Sequence, residues 1–283
     1  LATFLTIGAL AIHLLAMNIA SAGPLLGIWL ARSQGGISLR DQIGRQVAWL
    51  SVWTLCLGML TGGLLYLVRS PGLTIALERL PSRALWFAAL ELAFSFCCLL
   101  LYAGCWTALR QHRWWHASLA LLSSSNLLYH FPPLMTVLAK VASDPNWAKP
   151  ALLDRAALLP LMAKSEVLAM TCHFVLASVA VAALAVLWLL SRAPDQPWEQ
   201  AAQPLARRAA WTALLVSLLQ VPTGIWLLVT LPHPAQSAML GTSPLASLAF
   251  LGSLLLTFLL LQRLLTIAIG WLGVTFCVVP VGC

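Results

Sequence analysis

Charge is scarce in this chain. Lysine, arginine, aspartate and glutamate make up 8% of its 283 residues against 61% hydrophobic residues, and the mean hydropathy is +0.90. Ordinary soluble globules carry about a quarter charged residues, so that class is excluded and a polytopic membrane protein is implied. Acidic groups are the scarcer sign, 8 against 16 basic ones. The net charge of +8 is no nucleic-acid footprint, because the basic side chains stand singly between apolar runs instead of forming a patch. They read as topology signals and lipid-headgroup contacts. The 7 cysteines form neither CxxC nor CxxCH, which excludes a covalently attached c-type haem and a zinc or thioredoxin-type site. Cys97 and Cys98, adjacent in an apolar run, are expected as small buried hydrophobes.

Charges and prolines divide the sequence into apolar stretches of membrane-spanning length. These predict helices near 1–31, 45–69, 84–109, 115–140, 164–191, 208–231, 244–262 and 264–283. Only Gln262 and Arg263 separate the last two, and a helical hairpin needs a few turn residues, so the final span is expected to be partial. The chain opens on Leu1 without a methionine or a basic leader, so the first span is not expected to be a signal peptide and further sequence is expected before it.

Orientation follows from the basic residues. Loops after the odd-numbered helices hold nine of them and loops after the even-numbered helices seven. The longest loop, around Pro145 and Pro150, belongs to the even set, and short-loop weighting therefore favours an outside N-terminus. A repeat is also visible. Arg45-Gln-Val-Ala-Trp49 leads to Thr61-Gly62, and Arg207-Arg-Ala-Ala-Trp211 leads to Thr223-Gly224, both at an offset of 162, while His13 and His173 are 160 apart. The fold class expected is all-α, with about eight transmembrane helices in two pseudo-repeated four-helix bundles. Residues 1–142 form the first, 143–163 a connector, and 164–283 the second with an incomplete last helix.

Three histidines lie inside separate spans at similar depth. His130 stands ten residues before Lys140 and His173 nine after Lys164, with those lysines bracketing one loop. Both imidazoles are therefore roughly 15 Å below the same surface, and His13 lies within a turn or two of that depth. Ionisable groups there are costly and read first as functional. Imidazole is a good axial ligand for haem iron, and bundles place such ligands by projecting them inward from facing helices. His130 could pair with His13 or His173 in a bis-histidine site; alternatively, each histidine hydrogen-bonds a neighbouring helix. Glu91, eight residues past Arg83 and roughly 12 Å deep, is the one acidic residue well inside a span. It reads as a proton-handling group near a haem, or as a protonated carboxyl bonded to a neighbouring helix. Pro132 and Pro133 are expected to kink the fourth span just after His130, opening space beside the ring. His112, His116 and His233 are expected at interfaces or in loops.

The order of these features resembles subunit I of the cytochrome bd quinol oxidases over about residues 5–191. The first helix has a central His13; the second carries Leu57-Gly58 and Thr61-Gly62; the third an intramembrane Glu91; the fourth Ser125-Asn126-Leu127; the fifth His173. The resemblance implies two four-helix bundles with an outside N-terminus in a bacterial inner (cytoplasmic) membrane. It matches His13 to the first-helix haem ligand and His173 to the fifth-helix histidine of the low-spin b haem.

The sequence also departs from that family. The span from Pro244 to Gln262 has no methionine for a low-spin haem, and Met239 is the nearest. The family's long loop with its Gly-Arg-Gln-Pro-Trp quinol motif is reduced to Leu231 to Ser243, and no carboxylate follows Glu199 where the family has a later haem-ligating glutamate. Glu91 stands about one turn off the family's helix-three glutamates when registered on Trp106, and His130 is an addition. The expectation is a short, divergent bd-like protein: a cytochrome b-like electron-transfer subunit carrying haem b on His13, His130 and His173, without oxygen reduction. Its expected partners are the lipid bilayer, other membrane subunits, and a cytochrome c or quinone. Alternatives are an active quinol oxidase subunit completed by a partner chain, a transporter or copper-handling protein, and a cofactor-free structural subunit. Copper(I) would favour thiolate or thioether ligands, and Met17, Met59 and Met170 form no MxxxM cluster.

Overall fold

The computed structural model describes residues 2–31, 38–109, 111–144, 147, 152–192 and 199–269. Among them every regular element is helical. Six helices among the described residues are long and apolar enough to cross a membrane: α1 (Ala2–Leu30), α2 (Leu39–Leu67), α4 (Ser82–Gly104), α9 (Ser165–Leu190), α10 (Glu199–Thr230) and α12 (Pro244–Ile269). The chain is an all-α integral membrane protein.

The fourth expected span is two helices, α6 (Arg113–Tyr129) and α7 (Phe131–Ser143), meeting at His130. The cause is local. Pro132 and Pro133 have no N–H, so the carbonyls of Leu128 and Tyr129 lose their helical donors. His130 still donates its backbone N–H to Asn126 at 3.1 Å, which keeps α7 a near-continuation of α6. The tail is simpler than expected. α12 runs unbroken through Gln262 and Arg263, because neither residue is a helix breaker, and just beyond them Leu264 and Ala268 are buried. The expected boundary there is therefore corrected; the rest of that span, from 270 onward, lies outside the described residues.

Three apolar clusters hold the helices. One joins α1 and α2 to α9, α10 and α12 through Leu30, Ile43, Val186, Ala210 and Leu264. It crosses the expected division between residues 1–142 and 164–283. Small side chains on α9 and α10, including Ala183, Ala209 and Ala213, permit this close packing. A second cluster joins α1, α2, α4 and α6, with α5 (Trp106–Leu109) contributing Trp106. The third forms a cap that the apolar spans did not reveal. Here α3 (Pro71–Glu78) and α8 (Arg155–Met162) lie against α7, with Trp147 and Leu153 between them. Leu153 N–H donates to the Arg79 carbonyl at 2.8 Å, tying the expected connector to the loop after α3. The Lys164 ammonium stands 4.0 Å from the Trp147 ring centre, a favourable cation–π contact.

Beyond α10 the chain turns through α11 (His233–Ser237) and a π-helical turn at Ala238–Thr242. Gly241 there has φ +135°, a conformation open to glycine and costly for other residues. The outer surface of α12 is a leucine face, with Leu248, Leu251 and Leu255 well exposed, as suits contact with acyl chains.

Candidate functional site

His13 is gripped by α2. Its Nδ1 lies 2.9 Å from the Gly58 carbonyl oxygen, and since a carbonyl only accepts, Nδ1 carries the proton. Thr61 Oγ1 is 3.4 Å from the same nitrogen. Gly62 makes room for the ring: a Cβ there would come within 3.1 Å of His13 Cε1. The Thr61-Gly62 pair recognised in the sequence is thus a seat for this imidazole. Its counterpart Thr223-Gly224 has no such role, for a Cβ on Gly224 would meet nothing within 4 Å.

His130 is gripped by α4. Its Nδ1 lies 2.7 Å from Glu91 Oε2, a close polar contact between largely buried side chains. The contact is not an aligned hydrogen bond, because that carboxylate oxygen has no hydrogen-bond partner. Phe87, one turn before Glu91, sets its ring 6.3 Å from the imidazole centre, and the Phe131 ring stands 5.9 Å from it. These rings confine the imidazole, and the carboxylate turns Nδ1 toward α4.

His173 is partly buried on α9, and its Nδ1 is buried without a hydrogen-bond partner. Its level follows from a neighbouring contact. Ser178 Oγ donates to Asn18 Oδ1 at 2.8 Å, joining α9 to α1. His173 and His13 each precede that pair by five residues on parallel helices, about 7.5 Å along the axis. Five residues also rotate each ring by about 140° away from the α1–α9 seam. The two histidines share a layer and are not directed at one another. No ring contact joins any two of His13, His130 and His173 among the described residues.

Beside His130 opens a cavity of about 1010 Å³ between α3, α4, α7, α8 and α9. Its walls are chiefly apolar, with Phe87, Leu134, Leu138, Leu158 and Met162 among them. The polar groups are few: Tyr129 and His130 in the wall, Thr171, and Arg83, Asp154 and Arg155 from the ends of α4 and α8. Asp154 is already engaged, since its Oδ1 accepts from the Ala157 N–H at 2.9 Å and caps α8. Arg83 and Arg155 are exposed and have no ion-pair partner among the described residues.

His116 differs from the expectation of an interfacial ring: it is 2% exposed. It packs 4.7 Å from both Tyr102 and Trp106, measured between ring centres, and its Nε2 is buried without a partner. Trp106 Nε1 donates to Asp41 Oδ1 at 2.9 Å, and Tyr102 donates to the Pro24 carbonyl at 3.3 Å. The sequence signal was the spacing of His116, Ala120, Ser123, Ser124 and Leu127, all on the buried face of α6. His112 and His233 are exposed, as expected. Of the cysteine pair only Cys98 is buried; Cys97, 100° round the helix, is exposed.

Two of these histidines suit haem. A metal-binding imidazole characteristically gives its other ring nitrogen to a carbonyl or carboxylate, which fixes its orientation. His13 has that arrangement and His130 sets Nδ1 close against a carboxylate, and neither Nε2 has a protein partner among the described residues. A site built from several side chains for a bare ion is another matter: no group of three His, Cys, Asp or Glu side chains close enough for one occurs among the described residues. Comparison of the chain with protein-family models, curated proteins and solved structures finds no match.

Proposed function

We propose that this chain is a membrane-embedded, cytochrome b-like electron-transfer subunit that holds non-covalent haem b between its helices. The observation that carries the reading is the state of two intramembrane imidazoles. His13 and His130 each have Nδ1 engaged by an oxygen on a neighbouring helix, with Nε2 unpartnered. At His13 the hydrogen bond from Nδ1 sets the tautomer whose Nε2 lone pair is available and raises the basicity of that nitrogen; at His130 the Glu91 carboxylate beside Nδ1 favours the same tautomer. Helices from different parts of the chain thus hold two donors ready without first having to reorganise them.

Bound haem would supply one-electron redox chemistry within a site shielded from water. The chain's own residues do the rest. Gly58, Thr61 and Gly62 orient His13; Glu91, Phe87 and Phe131 orient His130. His173 is a third ligand of the same proposal, supported by its level in the layer and its orphaned Nδ1. Glu91 places a proton-accepting carboxylate 2.7 Å from a ligating ring, where it would offset the charge of an oxidised iron. An outside N-terminus in a bacterial cytoplasmic membrane, other membrane subunits, and a cytochrome c or quinone as electron partner belong to this reading.

A pyridine haemochrome assay on the chain purified in mild detergent tests it. A b-type spectrum is expected. A chain of intact helical content that carries no haem, and takes up none when haem is added, would overturn the reading.

A further inference from the structure

The cavity beside His130 has features that neither the resemblance nor the histidine layer requires. It lies in the half of the molecule built from α3, α4, α7, α8 and α9, away from the α1–α2 seat of His13. At about 1010 Å³ it stands at the upper end of the range of about 300–1,000 Å³ for clefts and cavities that take small-molecule ligands. Apolar walls suit a flat aromatic body. The charged groups are gathered at one end. Arg83 and Phe87 are one helical turn apart on α4, and Glu91, which holds His130, is one turn further. The rim arginine and the imidazole level are therefore separated by about 12 Å along the helix.

We propose that this cavity is a haem pocket, with His130 as the iron ligand and Arg83 and Arg155 as the partners of the two propionates. The inference rests on the haem-carrying reading above and assigns its site. Charge complementarity selects the ligand. A tetrapyrrole dicarboxylate has an apolar face, one position that binds imidazole, and two anionic arms at one edge. The cavity has an apolar body, one imidazole in its wall, and two arginines at one end whose only acidic neighbour in the lining, Asp154, is committed to a helix cap. Guanidinium groups bind carboxylates through paired hydrogen bonds, so two of them fix the orientation of the ring as well as its charge. The cap formed by α3, α8 and Trp147 then has a role. It carries Arg155, and α3 and α8 line the cavity near the start of α4.

The experiment compares the full-length wild-type chain with Arg83→Gln/Arg155→Gln, the charge-preserving Arg83→Lys/Arg155→Lys, His130→Ala and His13→Ala, all in detergent. Haem per chain, the rate of haem transfer to an excess of apoglobin, and the reduction potential are measured, with far-UV circular dichroism as the check on folding. Loss of both guanidinium groups is expected to speed haem release by roughly tenfold. It should also lower the potential, because positive charge near the propionates favours the reduced form. The lysine pair should fall between. Both arginines are exposed, so these variants stay informative even where His130→Ala disturbs packing around Glu91. Wild-type haem that is lost only in His13→Ala, with release and potential unchanged in the arginine variants, would overturn the pocket assignment and leave the electron-transfer reading standing. Anionic phospholipid co-purifying with wild type and lost from the glutamine pair, with haem unaffected, would overturn the assignment in favour of a lipid site. A wild-type chain without haem overturns both.

Discussion

The contact between Glu91 and His130 makes a quantitative demand on stability. The two side chains are 17% and 28% exposed, and Nδ1 lies 2.7 Å from Oε2. A solvent-exposed ion pair contributes about 0–1 kcal/mol, and a hydrogen bond to a charged group about 1.5–3 kcal/mol. This pair lies between those cases, because it is largely withdrawn from solvent but imperfectly aligned, and a coupling of about 1–2 kcal/mol follows. The perturbation is a double-mutant cycle of Glu91→Ala and His130→Ala, read from thermal unfolding in detergent by tryptophan fluorescence. Each single change should cost more than its own lost packing, since it leaves a polar partner unmatched in an apolar setting. The double variant should then be less destabilised than the sum of the singles by the coupling energy. Glu91→Gln should recover part of the loss, because its amide oxygen keeps an acceptor beside Nδ1. Costs that add to within about 0.5 kcal/mol would show the two side chains to be independent and would refute this account of how His130 is oriented.

Other outcomes follow from single contacts. Gly62→Ala forces a methyl group to within 3.1 Å of His13 Cε1 and is expected to cost about 1–2 kcal/mol. Gly63→Ala, where a Cβ meets nothing within 4 Å, should be neutral or gain about 0.5–1 kcal/mol in helix propensity; the same unfolding assay separates them. Trp106→Phe removes the donor to Asp41 within a buried cluster and should destabilise by about 1–3 kcal/mol, whereas equal stability of the two proteins would remove Asp41 from the structural account. Gly241→Ala, at φ +135°, should lower the unfolding temperature, and an unchanged temperature would mean that the turn relaxes freely.

Depth was legible in the sequence because a helix converts residue number into height with little error. Counting from Lys140, Lys164 and Arg83 brought His130, His173 and Glu91 to one level, and in the structure Glu91 meets His130. Direction around each helix was not legible in the same way. Whether His173 faces His13 depends on which side of α9 packs on α1, and the Asn18–Ser178 hydrogen bond that decides it joins residues 160 apart. The same limit explains His116. Its place near a loop suggested an interface, but its burial arises from Tyr102 and Trp106 arriving from the preceding hairpin arm. The break expected at Gln262-Arg263 gave charge too much weight as a helix terminator. Without glycine, proline or a capping residue the backbone ladder continues. The helices α3 and α8 are 8 residues each, too short to register as spans, and only their packing against α7 reveals the cap and the cavity beneath it.

The reduced-minus-oxidised absorption spectrum of the purified chain, taken for wild type and for His13→Ala and His130→Ala, tests the central claim most directly. The account predicts a b-type haem band in wild type that weakens or shifts in at least one of the two variants while helical content is retained. Wild-type protein with intact helices and no such band, or a band identical in all three proteins, would contradict the assignment of haem to these two imidazoles.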